Sequence, residues 1–168
     1  MRGGAGIGGR IAAMVVAGLA LASGVLPAAA EGSRETPRFA SLGADRVNVR
    51  TGPGVRYPVV WVFVRKGLPV EITAEFELWR RIRDIEGSEG WVHKSLLSGR
   101  RTVLVKDKVR TFYRGPDADR LPAFLAEPGV VAQLRGCRGD WCEVQTAGLR
   151  GWAPRRYLWG VYADEGAE

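Results

Sequence analysis

Two stretches of this chain repeat each other in a fixed register, and that repeat limits the fold more than any other feature. Gly67 and Gly129 stand 62 residues apart, Trp79 and Trp141 stand 62 apart, and Trp91 and Trp152 stand 61 apart, while Leu96-Leu97 is echoed by Tyr157-Leu158. Landmarks held at offsets of 61 or 62 mark two copies of a single unit, over 46–97 and 109–160. Each copy has only about fifty residues in which to bury apolar side chains, which is room for a very small domain.

The first copy reads as short strands between turns. Val47 and Val49 alternate with polar neighbours as a half-buried strand does, and Thr51-Gly52-Pro53-Gly54 then forces the chain off that line. Tyr57-Pro58 ends the loop, 59–64 is a β-rich apolar run, and Lys66-Gly67 is a turn before 68–73. Leu78-Trp79-Arg80-Arg81-Ile82, a turn over 86–89, and Gly90-Trp91-Val92-His93 complete the unit. This pattern predicts an all-β fold, a small barrel. The order of Asn48-Val49-Arg50, Gly52-Pro53-Gly54, Tyr57-Pro58-Val59, Lys66-Gly67, Trp79 with Ile82, and Gly90-Trp91-Val92 resembles the bacterial SH3 family, modules of cell-envelope proteins. The resemblance covers the whole first copy and implies two tandem small SH3-like β-barrels, the second divergent. In that second copy Val109-Arg110-Thr111-Phe112-Tyr113-Arg114-Gly115-Pro116 keeps only the Gly-Pro, so its ligand-side loop need not match the first in shape or specificity.

The remaining segments differ in composition. Over 1–30, Arg2 and Arg10 are the only charges, 11–26 is an apolar run, and Pro27-Ala28-Ala29-Ala30 offers the small residues a signal peptidase prefers. A cleaved signal peptide is expected, with an uncleaved anchor as the alternative. The protein is then periplasmic or secreted, with no stable membrane span after cleavage. Residues 31–45 read as a flexible polar leader that becomes ordered near Phe39, with Phe39 and Leu42 able to cover one end of the barrel. The connecting segment, 98–108, is apolar at its middle, so 102–105 is expected to pair as a strand or pack between the barrels in a rigid tandem. It also carries Arg100, Arg101, Lys106 and Lys108 against one acid, either a solvated face or a binding patch. An acidic tail, 161–168, is expected to fray.

The formal charge of +7 falls to about +5 when Arg2 and Arg10 leave with the signal. A basic exported protein meets wall carboxylates, polymer phosphates and anionic lipids. Export argues against nucleic acid as a partner.

Few residues offer chemistry. Cys137 and Cys142 are the only cysteines, and the four residues between them make a short hairpin loop that sets the two side chains opposite each other. In an oxidising compartment such a pair favours a structural disulfide; a redox-active pair is the alternative, against which stands the absence of Cys-x-x-Cys spacing. No metal and no cofactor is expected, because a zinc site wants four ligands and the chain has two cysteines and one histidine, His93, in different copies. Bacterial SH3 modules often accompany cysteine peptidases of the cell wall, but no papain-like unit is present to bring a Cys and a His together. Asp84 with Glu86, and Asp117 with Asp119, fall in turns, where acids are common. Catalysis is therefore not expected.

The tryptophans are the better lead. Alternation puts Ile82 opposite in sense to Trp79, and Val144 opposite to Trp141, so if the aliphatic residues point inward both tryptophans point outward. Such a pair suits either a shallow groove for an extended peptide or glycan, or simple cover for a barrel end. By analogy with SH3-like groove binding, Arg50, Tyr57 and Trp61 would form the other wall. The candidate ligand residues are thus Arg50, Tyr57, Trp61, Trp79 and Trp141. The expected function is non-catalytic recognition of peptidoglycan, its stem peptides or another envelope component. The alternative is a periplasmic adaptor that binds an envelope protein.

Overall fold

The computed structural model describes Gly3 and residues 35–165. The expected signal peptide, the leader over 31–34 and the end of the acidic tail, 166–168, lie outside the described residues, Gly3 apart.

Two antiparallel sheets of seven strands each account for the described chain. The first holds β1 (Arg38–Leu42), β2 (Val47–Arg50), β3 (Val59–Phe63), β4 (Pro69–Phe76), β5 (Trp79–Arg83), β6 (Glu89–His93) and β7 (Leu97–Ser98). The second holds β8 (Thr102–Val105), β9 (Arg110–Tyr113), β10 (Pro122–Ala126), β11 (Val131–Arg138), β12 (Trp141–Thr146), β13 (Leu149–Pro154) and β14 (Leu158–Trp159). Their spatial orders are β3-β2-β6-β5-β4-β1-β7 and β10-β9-β13-β12-β11-β8-β14, identical once seven is added to each label. A short 3-10 turn precedes the last strand of each sheet, Lys94–Leu96 and Arg155–Tyr157. The internal repeat is therefore a duplication of one small all-β barrel.

Local chemistry explains the closure. Val47 and Val49 are fully buried while Asn48 between them is exposed, so β2 gives one face to the core as its alternation requires. Ile82, Val92, Val70 and Ile72 complete that core; Phe112, Val144, Cys142, Val103 and Ala153 fill the other. Both long strands carry a bulge at the same repeat position, between Ile72 and Ala74 in β4 and between Leu134 and Gly136 in β11. A bulge bends a strand and increases its twist, which a sheet this small needs in order to wrap its core. Gly67 and Gly129 open these two strands with φ of +81° and +80°, values that L side chains rarely adopt.

The barrels belong to one compact unit. β1 and β8 form its middle, and each is buried at four consecutive residues, 39–42 and 102–105. One face of each strand packs on its own core, and the other meets the neighbouring barrel. Ser41 Oγ lies 2.6 Å from Thr102 Oγ1 and donates to the Arg100 carbonyl at 2.6 Å, while Thr102 Oγ1 donates to the Gly67 carbonyl at 2.6 Å. The Phe39 ring sits 5.1 Å from Trp159 and 4.6 Å from Tyr162. Behind it the buried Glu71 carboxylate accepts from Arg83 Nε at 2.8 Å and from the Tyr162 hydroxyl at 2.7 Å. Burial first, then the bond to Glu71, holds the Tyr162 phenol well above its ordinary value.

Three boundaries expected from sequence move. The flexible leader over 31–45 contains β1, which pairs with β4 and β7 and is ordered by them. Within the connecting segment over 98–108, residues 102–105 pair as a strand, as expected, but that strand, β8, is the first of the second barrel. Of the tail over 161–168, residues 161–165 are docked: Arg101 donates to Glu165 at 2.9 Å and to the Gly160 carbonyl at 2.6 Å, and Arg155 donates to the Tyr162 carbonyl at 2.6 Å. Glu165 meets Arg101 of the connecting segment, and Arg155 of the 3-10 turn takes the Tyr162 and Ala163 carbonyls, which is why this part of the tail packs.

Candidate functional site

Cross-strand partners share a face, so the ladder defines what each barrel shows to solvent. In the first barrel Phe76 pairs with Trp79, Trp79 with His93, Arg81 with Trp91, and Arg50 with Trp91. These residues line the outer face, opposite Ile82 and Val92. The Trp79 ring is half-buried and meets His93 edge-on at 5.4 Å. His93 Nδ1 lies 2.7 Å from Ser95 Oγ, an arrangement local to the 3-10 turn.

Arg50 is committed within its own loop. Its Nη1 donates to the Val55 and Tyr57 carbonyls at 3.0 and 2.7 Å, clasping residues 51–58. Tyr57 lies flat against that loop, where a Cβ on Gly52 would stand 2.6 Å from the ring, so only glycine admits it. Trp61 belongs elsewhere. It packs on Phe63 at 6.2 Å and lines a cleft of about 510 Å3 with Leu68, Pro69, Ile85 and, from β8, Leu104. The structure therefore brings Arg50 and Tyr57 together, leaves Trp79 with His93, and separates Trp61 from both.

The second barrel assembles a different surface from the same positions. Trp141 is half-buried, with Cys142 and Val144 inward of it. Tyr113 occupies the position of Arg50, since it pairs with Trp152 as Arg50 pairs with Trp91. The Tyr113 and Trp141 rings meet edge-on at 5.9 Å. Tyr157, at the place of Leu96, adds a third ring, and these residues with Arg110 and Arg156 line a cavity of about 280 Å3. The Arg110 guanidinium lies 3.7 Å from the Tyr157 ring centroid and that of Arg156 4.8 Å. A hydrogen bond from Arg156 first, then the charges of Arg156, Arg110 and Lys108, draw the Tyr157 phenol below its ordinary value.

Trp141 is held in place by its neighbour. Cys137 and Cys142 are joined in a disulfide across the β11–β12 hairpin, and Arg155 donates to the Gly139 carbonyl at the hairpin's tip. Sequence reasoning found Trp141 through the repeat but missed Arg110, Tyr113 and Tyr157. The available signal was the departure of 109–116 from the first copy, where Arg110 and Tyr113 replace a buried valine and an internally bonded arginine.

Among the described residues, no group of three His, Cys, Asp or Glu side chains could hold a metal ion. Nor is any helix among them long and apolar enough to cross a membrane.

Two short-stranded barrels in tandem, with half-buried aromatics on their outer faces, define a tandem SH3-like module. The family model described as bacterial SH3 domain matches residues 43–99 and again 106–160, and the chain belongs to that family. Both matches begin just after the strands that join the barrels, β1 and β8. Similar solved structures include NlpC1 and NlpC2 from Trichomonas vaginalis, each 14% identical over 76% of this chain with a TM-score of 0.35. The chain spans about half the length of each, 47% and 49%. A comparison with curated proteins finds no match.

Proposed function

We propose that this protein is an exported, non-catalytic binding module that recognises peptidoglycan or its stem peptides through the second barrel. The observation that carries the reading is the cavity of about 280 Å3 walled by Tyr113, Trp141 and Tyr157. Aromatic faces converging on a shallow slot suit an extended peptide or glycan, whose flat apolar surfaces lie against the rings while its polar edges stay in water. The first barrel acts as a partner in rigidity, because its Arg50 is spent on its own loop. A binding role without chemistry is supported by the joined cysteines, which leave no thiolate there, and by a histidine bonded to Ser95. In this reading the chain works in the periplasm or outside the cell.

Retention on purified sacculi tests it. The expected result is retention of the wild-type protein at low salt and its loss in Tyr113→Ala or Trp141→Ala. A wild-type protein that passes through unretained contradicts the reading.

A second reading, a protein adaptor, is favoured by one observation. β3 is a sheet edge, and the run over 59–64 holds no charge and leaves Val60 49% and Val64 74% exposed. Such an edge can accept an added strand. Crosslinking from position 60 in cells that captures one defined protein, while wall fragments are absent, supports the adaptor instead.

A further inference from the structure

We infer that the second barrel's cavity is selective for a carboxylate on its ligand, held by Arg110 and Arg156, which both pack on the Tyr157 ring. This deepens the wall-binding reading by naming the chemical group that the cavity takes, and it rests on that reading for the identity of the larger molecule.

The charge arrangement is the starting point. Both guanidinium groups are drawn to one phenol ring, at 3.7 and 4.8 Å from its centroid, and neither forms an ion pair among the described residues. Two cations held this close repel, and a ring face offsets only part of that cost. Other arginines of the chain are bonded within the fold: Arg83 meets Glu71, Arg81 meets Glu89 at 2.6 Å and Arg101 meets Glu165, while Arg50 and Arg155 donate to backbone carbonyls. Around Tyr157 no acid plays that part. Asp117, beside the cavity-lining Ala118, is bonded through Oδ2 to Arg120 at 3.0 Å, its Oδ1 being buried without a hydrogen-bond partner among the described residues, and Asp107 lies in sequence between Lys106 and Lys108.

Two further observations point the same way. Arg110 Nε is buried with no hydrogen-bond partner among the described residues, the state that a bound acceptor relieves. The Tyr157 phenol, lowered by Arg156 and then by Arg110 and Lys108, reports a positive potential at that point. Lys106, Arg155 and Arg156 line the adjoining hollow against one acid, Asp140, so the excess of positive charge extends beyond the slot. The sequence singles out 98–108 as a basic cluster, and its last two lysines flank this site rather than the joint between the barrels.

The choice of carboxylate follows from shape. A planar guanidinium matches a carboxylate through two parallel hydrogen bonds. The aromatic walls contributed by Tyr113 and Trp141 take the uncharged stem that carries it. A polyphosphate chain presents charge at every unit and gains nothing from those rings. The set is specific to the second barrel, since Val47, Arg50 and Leu96 stand at the places of Arg110, Tyr113 and Tyr157 in the first.

Titration of the whole protein by tryptophan fluorescence tests this. The probes are the peptide Ala-Glu-Ala-Ala with free carboxylates, its fully amidated counterpart Ala-Gln-Ala-Ala-amide, and inorganic polyphosphate. The acidic peptide is expected to bind about tenfold more tightly than the amide, the weight of one charge-assisted hydrogen bond, with affinity falling as salt rises. Arg156→Gln, at an exposed position, and Arg110→Gln are each expected to remove that tenfold preference with an unchanged melting temperature for Arg156→Gln. Equal binding of acid and amide overturns the inference, as does preferential binding of polyphosphate. If sacculi retention still depends on Trp141 while the acid preference is absent, the carboxylate assignment falls and the wall-binding reading stands. An acid preference lost in both variants, with no sacculi retention, upholds the carboxylate site and overturns the wall.

Discussion

Tyr162→Phe isolates the contact that ties the tail to the first barrel. The substitution keeps the ring and its packing at 4.6 Å on Phe39, and it removes only the hydroxyl that donates to Glu71 at 2.7 Å. The Glu71 side chain is 4% exposed, so water cannot replace the lost donor, and Arg83 remains on the other carboxylate oxygen. A hydrogen bond to a charged group contributes about 1.5–3 kcal/mol, and a buried acceptor left without one adds its desolvation cost. We expect a loss of about 2 kcal/mol, which at about 4 °C per kcal/mol for a body of this size lowers the melting temperature by about 8 °C. Differential scanning calorimetry measures it directly. The pH dependence gives a second readout with a definite sign. The folded phenol lies above its ordinary value of 10.0, so its proton stabilises the fold fully below that pH and the contribution is lost as pH rises through the folded value. Wild-type stability should therefore decline above about pH 10 more steeply than that of Tyr162→Phe. A variant that melts within about 1 °C of wild type, with the same alkaline slope, refutes the reasoning.

Other outcomes follow from the same contacts. Reduction of the Cys137–Cys142 bridge, whose partners are five residues apart, is expected to cost about 2 kcal/mol by the chain-entropy estimate, read as a lower urea midpoint. The same reduction should weaken sacculi retention, because the hairpin that carries Trp141 loses its tie. Ile82→Ala, at a fully buried position, should destabilise the protein by about 2–5 kcal/mol in urea unfolding. Thr102→Val removes a hydroxyl shared between Ser41 and the Gly67 carbonyl and should cost about 1–3 kcal/mol, whereas the same change at exposed Thr51 should be nearly silent.

The strands with one buried face were legible by alternation, and of the two buried on both faces β8 was legible from its apolar run while β1 was not. Val47 and Val49 announce β2 because Asn48 between them faces water. Phe39, Ala40, Ser41 and Leu42 do not alternate, since the second barrel covers the face that would otherwise be polar. Ser41 looks like a leader residue until its hydroxyl is seen bonded to that of Thr102 across the joint. Glu165 and Tyr162 read as a solvated tail because their partners, Arg101 and Glu71, are 64 and 91 residues away.

The candidate site was legible in the same uneven way. Repeat position alone marked Trp141, and alternation gave its direction. Tyr57 and Arg50 look like a ligand-facing loop in the sequence, yet in the structure they bond to each other and to the loop they stiffen. Arg110 and Tyr157 are joined by a cation–π contact between residues that no local pattern connects. The second copy therefore looks degenerate where it has gained a different set of side chains.

The central claim is that ligand enters the second barrel and not the first. Backbone amide chemical shifts, followed while solubilised wall fragments are added to the labelled protein, test it most directly. The account predicts shifts concentrated at Arg110, Tyr113, Trp141 and Tyr157, with the loop around Tyr57 and the Trp79–His93 pair unmoved. Shifts confined to Arg50, Tyr57 and Trp79 would contradict it.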